Sequence, residues 1–176
     1  MNSTSEELLS RALAGETAAF GALVREQQPS VYSLAARMLS DRQKAEDLAQ
    51  EVFLRLYRNL ASISSAAHLA FWLRRVTVNG AIDRLRRGNP YQTVPLEAAA
   101  DLASASEDED PLVQSRLRLL LQQLAPAPRA VLLLRYQEDL DPSEIARTLS
   151  MSVNTVKSHL KRSLATLRES IGEPLL

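Results

Sequence analysis

An acidic stretch near the middle of the chain, residues 94–110, divides the sequence into two blocks. This stretch holds six Asp or Glu and no Lys or Arg, whereas residues 1–93 hold 12 basic and 9 acidic side chains and residues 111–176 hold 9 and 6. Its composition offers too little apolar surface to fold alone. We therefore expect a flexible acidic linker over residues 89–110, which would span roughly 70 Å if fully extended and leave the flanking blocks almost independent.

The composition favours helices and excludes several classes of protein. Of the 176 residues 45% are hydrophobic, five are Gly and none is Cys, which excludes disulfide-stapled folds, zinc fingers and thiol chemistry. The sequence shows neither the roughly 20-residue apolar run of a membrane-spanning helix nor a signal-peptide pattern, so we expect a cytoplasmic protein. We predict an all-α fold with two small helical domains, at residues 1–88 and 111–176.

Four helices are predicted in the first block, and the third has two distinct faces. Helices are expected over residues 5–13 and 17–39, the second kinked or divided by Pro29, and Asp41 caps the third. Opposite the core face of the third helix is a stripe with spacing i, i+3, i+4 and i+7, here called the docking stripe: Asp47, Gln50, Glu51 and Leu54. Like charges beside an apolar residue destabilise a helix face that nothing covers, which favours a surface that binds a partner. The spacing is explained equally well by a solvent-exposed face that carries one isolated leucine.

The fourth helix, predicted over residues 66–87, has a polar and aromatic stripe between two apolar ones. We call it the single-strand stripe, and its members are Trp72, Arg75, Asn79, Asp83 and Arg86. Rings, cations and an amide on one face are typical of surfaces that bind single-stranded nucleic acid. The alternative is that Trp72 belongs to the core and that Asp83 only pairs with its arginine neighbours.

The second block ends in a predicted helix-turn-helix. Helical segments at residues 112–124 and 128–136 precede Asp141-Pro142-Ser143-Glu144, which combines an N-cap, a first-turn proline and an acidic third position. A turn at Ser150-Met151 leads to a final helix capped by Ser152. The side chains expected to face outward near its start are here called the recognition residues: Asn154, Thr155, Lys157, Ser158, Lys161 and Arg162. The pattern favours binding in a DNA major groove over a merely solvated basic surface.

Four segments in series resemble a known family. They lie at residues 11–20, 41–54, 71–87 and 124–158; the second reads DRQKAEDLAQEVFL and the third FWLRRVTVNGAIDRLRR. In this order they resemble the group IV, or extracytoplasmic-function, sigma factors of bacterial RNA polymerase, over nearly the whole chain. Two departures are Gly80, which is expected to weaken its helix, and Ser150, which stands where the family commonly has Gly in the turn.

The resemblance implies a role for each surface. The docking stripe would bind the clamp helices of the largest subunit of core RNA polymerase. The single-strand stripe, with the loop at residues 61–67, would read and melt the minus-ten region of promoter DNA, and the recognition residues would bind the minus-thirty-five element. The acidic linker would lie along polymerase channels built for nucleic acid. No cofactor or metal is expected, and the resemblance leaves open whether an anti-sigma factor holds the protein.

Two other functions remain as alternatives on the sequence alone. A stand-alone helix-turn-helix transcriptional regulator would have a similar C-terminal block, although the first block shows no ligand pocket or dimer seam. A protein that only titrates a partner would bind polymerase without opening a promoter. We do not expect an enzyme, because two separated histidines, no cysteine and no Gly-rich phosphate loop leave no catalytic cluster.

Overall fold

The regular structure of the chain is helical throughout the described residues. The computed structural model describes residues 3–88 and 111–172. The helices are α1 (Ser3–Leu13), α2 (Thr17–Leu39), α3 (Arg42–Asn59), a 3-10 turn (Leu60–Ser62), α4 (Ala66–Arg87), α5 (Pro111–Gln122), α6 (Pro126–Tyr136), α7 (Pro142–Leu149) and α8 (Val153–Gly172). The all-α prediction is confirmed. The predicted linker, residues 89–110, lies outside the described residues.

In the first block, capping side chains set the helix starts where the sequence placed them. The Asp41 carboxylate accepts a hydrogen bond from the Lys44 backbone N–H at 3.0 Å, and the Ser65 hydroxyl accepts one from His68 N–H at 3.0 Å. Of the two outcomes expected at Pro29, a kink or a division of the helix, the division is wrong, because α2 continues from Thr17 to Leu39. Pro29 is exposed, so water is available to replace the helical hydrogen bond that proline cannot donate.

The second block has the predicted helix-turn-helix. Asp141 accepts hydrogen bonds from the N–H groups of Ser143 and Glu144, and the Glu144 carboxylate accepts one from Asp141 N–H at 2.8 Å. This reciprocal capping box fixes the start of α7. Ser150 ends α7 with φ 54°, a left-handed conformation, and the Ser152 hydroxyl then caps α8 by accepting from Thr155 N–H at 3.0 Å.

The two blocks share one hydrophobic core in the described structure. The long helix α2 packs against α1, α3 and α4, while α6 lies against both α2 and α4 and α7 lies against α4. The expectation that the blocks are almost independent is therefore not what the structure shows. None of the described helices is both long and apolar enough to cross a membrane.

Candidate functional site

The docking stripe lies on the side of α3 that faces away from the core. On the core side α3 buries Ala45, Leu48, Ala49, Val52 and Leu56. On the other side Asp47 and Gln50 are exposed and Leu54 is 58% exposed, whereas Glu51 is half-buried. The structure therefore brings together an exposed leucine and three polar side chains, as the spacing predicted. A large exposed apolar side chain beside carboxylates is a surface suited to a protein partner.

A groove beside the docking stripe was missed by the sequence analysis. It lies between α2 and α3, has a volume of about 1000 Å³, and is lined by aromatic and aliphatic side chains that include Phe20, Val24, Tyr32, Phe53 and Tyr57. Tyr57 is 66% exposed and meets Phe20 edge-on, with ring centroids 5.3 Å apart. A signal was present, because Tyr57 follows Leu54 by three residues and extends the stripe by one helical turn.

Glu51 differs from the other members of the docking stripe because its carboxylate is bound within the protein. Arg84 of α4 donates to it at 2.6 Å, and Arg55 of α3 donates to its other oxygen. The hydrogen bond from Arg84 is the main cause that lowers the pKa of Glu51 below its ordinary value, and the charge of Arg55 adds to the effect. Glu51 therefore ties α3 to α4 as well as belonging to the candidate docking surface.

The single-strand stripe is exposed along most of α4. Arg75, Asp83 and Arg86 are exposed, Asn79 is half-buried, and Trp72 is partly buried against the core. Trp72 is thus partly a core residue, in line with the alternative that it packs in the core and does not stack on bases. The other four present charged or amide groups to solvent on one helix face, where they are able to meet phosphates and base edges.

The loop before α4 is held by several short-range contacts and one long-range contact. Ile63 is buried at its centre, and the Ser62 hydroxyl donates to the Asn59 carbonyl at 2.7 Å. From α1, the Glu6 carboxylate accepts a hydrogen bond from Ala66 N–H at 2.9 Å, at the first residue of α4. A carboxylate at this position is also stabilised by the positive N-terminal end of the α4 helix dipole. No local sequence pattern predicts this contact, because 60 residues separate Glu6 from Ala66.

The recognition residues lie at the start of the second helix of the helix-turn-helix. Asn154, Thr155 and Lys157 are exposed in its first turns and Lys161 and Arg162 are exposed further along. Ser158 is half-buried, so it faces outward less than the spacing predicted. Val156 is fully buried on the opposite side and holds α8 against α6 and α7. This is the arrangement in which a recognition helix presents its N-terminal side chains to a groove.

Comparison with known proteins decides the family. Residues 23–90 match Sigma-70 region 2 and residues 114–167 match Sigma-70 region 4. The chain is 31% identical over 172 residues to the ECF RNA polymerase sigma factor SigW of Bacillus subtilis, with 90% of this chain and 92% of SigW covered. The chain belongs to the extracytoplasmic-function sigma factors. The resemblance seen in the sequence is thereby confirmed.

A second relative resembles this sigma factor over most of its length, and a solved structure has the same fold. The RNA polymerase sigma-E factor of Streptomyces avermitilis is 34% identical over 157 residues, which cover 89% of this chain and 87% of that protein. The solved structure of CnrH in complex with the cytosolic domain of CnrY superposes with a TM-score of 0.71 at 21% identity, covering 96% of this chain and 97% of CnrH. This likeness supports the same fold for the sigma factor described here.

Proposed function

We propose that the docking stripe and the adjoining groove form the polymerase-binding surface of this sigma factor. Sigma factors of this family direct promoter-specific initiation by core RNA polymerase, and this chain has both family regions. The observation that carries the assignment is that Leu54 and Tyr57 are largely exposed on α3 while the opposite side of α3 is fully buried. An exposed apolar pair flanked by Asp47 and Gln50 matches the usual composition of an interface centre with a polar rim.

The promoter-binding surfaces follow on two other helices. The single-strand stripe on α4, with residues 61–67 before and at the start of that helix, reads and melts the minus-ten region by holding bases of the opened strand. The recognition residues on α8 bind the minus-thirty-five element in the major groove. What supports this division is that both surfaces carry exposed cations, whereas the docking stripe has no cation and combines two carboxylates and an amide with an exposed leucine. A stand-alone regulator has no need of the first block, which here carries a Sigma-70 region 2 match.

In this function the sigma factor performs no catalytic step, since the polymerase performs the chemistry. Both partners, core polymerase and promoter DNA, are in the bacterial cytoplasm, and we place the sigma factor there with them. Its domain boundaries are proposed as residues 1–88 for polymerase and minus-ten binding, 89–110 as the linker, and 111–176 for minus-thirty-five binding.

The test compares two leucine substitutions of equal chemistry. Leu54→Asp places a charge at the centre of the proposed interface and should weaken binding to core polymerase by about 1–3 kcal/mol, with run-off transcription reduced in proportion. Leu13→Asp is the control, because Leu13 is 46% exposed at the end of α1 and belongs neither to the docking stripe nor to the residues that line the groove. Polymerase titration and thermal unfolding are measured on both variants. Equal polymerase binding by Leu54→Asp and Leu13→Asp would overturn the assignment of the docking stripe.

A further inference from the structure

Glu6 of α1 contacts the start of α4 from outside both family regions. Its carboxylate accepts a hydrogen bond at 2.9 Å from the backbone N–H of Ala66, the first residue of α4. The matches to Sigma-70 regions 2 and 4 begin at residues 23 and 114, so neither includes α1. The family regions therefore assign no role to this carboxylate.

The residues on either side of Glu6 hold α1 in a fixed place. Ser5 is 4% exposed, and its hydroxyl donates to the carboxylate of Glu26 in α2. Leu9, one turn further along α1, is 2% exposed and belongs to the hydrophobic core. Because Ser5 and Leu9 anchor α1, the side chain of Glu6 starts from a rigid backbone, and its contact with Ala66 restrains α4 relative to α1 and α2.

Glu6 satisfies a backbone donor of α4 that the local cap leaves to it. The Ser65 hydroxyl accepts from the N–H of His68 at 3.0 Å, whereas the N–H of Ala66 donates to Glu6. Ala66 is 4% exposed, so its N–H has little access to water once the Glu6 carboxylate is removed. A buried donor without an acceptor costs free energy, which the chain lowers by moving the backbone around it.

The backbone around Ala66 belongs to the proposed minus-ten surface. Ala66 lies within residues 61–67 and begins the helix that carries the single-strand stripe. On its N-terminal side Ile63 is 2% exposed, and the N–H of Ser64 donates to the His68 ring at 3.2 Å. The hydrogen bonds of Ser64 and Ser65 to His68 are local, whereas the one from Ala66 to Glu6 ties this segment to another helix.

We propose that Glu6 is a positioning residue for promoter opening, which fixes the start of α4, and with it residues 61–67, in the conformation that holds the bases of the opened minus-ten strand. The proposal rests on the assignment of the minus-ten surface made above. Glu6 does not act by binding DNA itself, because a carboxylate is repelled by phosphates. It acts through the backbone N–H of Ala66.

Hydrogen exchange of the Ala66 amide in the full chain tests the contact. Glu6→Ala removes the acceptor, so the Ala66 N–H should exchange about tenfold faster. Glu7→Ala is the matched control, because the Glu7 side chain is 71% exposed and lies 3.9 Å from Arg11 of the same helix. It should leave exchange of the Ala66 amide unchanged. Unaltered exchange in Glu6→Ala would overturn the proposal, since the carboxylate would then not hold the start of α4.

Open-complex formation by the holoenzyme tests the role, on promoters that differ by single bases in the minus-ten region. Glu6→Ala should reduce opening of the favoured promoter by about threefold to tenfold, the range for one lost hydrogen bond, and should reduce discrimination against the changed promoters. Binding to core polymerase should be unchanged. Glu6→Gln keeps an acceptor oxygen and should retain both opening and discrimination. Equal opening by Glu6→Ala and Glu7→Ala, or a loss by the same factor on every promoter, would overturn the proposal.

Two further variants keep the outcome clear. Glu6→Met has a side chain of similar length without the carboxylate, so it should show the same loss as Glu6→Ala even if alanine disturbs α1. Asn79→Ala, on the single-strand stripe, separates failure of this proposal from failure of the proposed function. If Asn79→Ala reduces opening and both Glu6→Ala and Glu6→Met do not, the minus-ten surface stands and the role of Glu6 is wrong. If none of the three changes opening, the minus-ten surface itself is wrong and the proposal fails with it.

Discussion

Gly80 of α4 lies so close to Leu48 of α3 that a Cβ atom at position 80 would stand 2.7 Å from the Leu48 Cδ1 atom. Leu48 is 1% exposed and has little room to move. The glycine that the sequence analysis expected to weaken α4 is therefore the residue that lets α3 and α4 approach each other. These are the helices that carry the docking stripe and the single-strand stripe, so their contact sets the relative position of the two surfaces.

Gly80→Ala should lower the free energy of unfolding. The gain in helix propensity is about 1 kcal/mol, whereas overpacking a buried site costs about 1–3 kcal/mol. Chemical denaturation measures the difference. In a Leu48→Ala background the penalty should disappear, because the clashing methyl group is gone, although that background is itself destabilised by its cavity. An alanine at position 80 that stabilises the otherwise unaltered protein would show that α3 and α4 do not pack this closely.

Glu51→Gln should lower stability near neutral pH and have little effect in acid. The pKa of Glu51 is lowered in the folded protein, chiefly by the hydrogen bond from Arg84. The stabilisation is thus complete above the unfolded pKa of about 4.3 and is lost as the pH falls through the folded value. Urea denaturation of both proteins across a pH series measures the difference. When Arg84→Gln is added to both the unaltered protein and Glu51→Gln, the pH-dependent part of their difference in unfolding free energy should shrink. If it does not change, the pH dependence comes from a group other than the Arg84–Glu51 pair.

Substitutions of the two serines in the turn of the helix-turn-helix should change the free energy of unfolding in opposite directions. Ser150 adopts φ 54°, which glycine tolerates better, so Ser150→Gly should raise the free energy of unfolding by about 0.5–1 kcal/mol. Ser152 caps α8 through Thr155 N–H, and Ser152→Ala should lower it by about 1 kcal/mol. Denaturation of the two variants side by side provides the comparison. Shifts of the same sign would contradict the turn geometry.

Asn79→Ala should reduce promoter opening without reducing polymerase binding. Asn79 is half-buried on the single-strand stripe and lies on a different helix from the docking stripe. Open-complex formation is measured on a duplex promoter and on a template with a pre-melted bubble. Partial rescue by the bubble indicates a role in melting, and no rescue indicates a role in reading bases. Normal activity of the variant on both templates would remove Asn79 from the minus-ten surface.

Lys161 and Thr155 should differ in how they affect binding to the minus-thirty-five element. Lys161→Ala, at an exposed position proposed to face a DNA phosphate, should weaken binding to all promoters similarly and reduce the slope of log K against log salt by about 1. Thr155→Ala should instead change the preferred base at one position, at a cost of about 1–3 kcal/mol on the favoured sequence. Holoenzyme binding across a salt series and a panel of single-base changes distinguishes them. If neither slope nor preference changes, α8 does not enter the groove.

Local signals account for the parts of the fold that the sequence predicted. The bounds of α4, residues 66–87, and the capping box at Asp141 and Glu144 agree with the structure because each depends on residues within four positions of one another. The same is true of the docking stripe, since helical spacing alone decides which side chains share a face.

The features that the sequence did not predict depend on contacts between distant segments. The approach of Gly80 to Leu48 needs the crossing of two helices, and the bond from Arg129 to the Met38 carbonyl joins positions 91 residues apart. Single-sequence periodicity contains no information on such pairs. The groove between α2 and α3 was missed for the same reason, because Phe20 and Tyr57 form it only after the two helices pack.

Arg129 of α6 contacts the backbone carbonyl of Met38 in α2, and this contact depends less on the sequence of the first block than the ion pair of Arg74 with Glu138 does. The acceptor is a backbone carbonyl, which every amino acid at position 38 provides, whereas Arg74 and Glu138 must both be retained for their ion pair. A chimera that joins residues 111–176 of this chain to the first block of a relative should therefore keep the Arg129 contact whatever side chain stands at position 38, provided that α2 ends in the same place. The Arg74–Glu138 ion pair, in contrast, is kept in such a chimera only when the relative that supplies the first block also has an arginine at the position of Arg74.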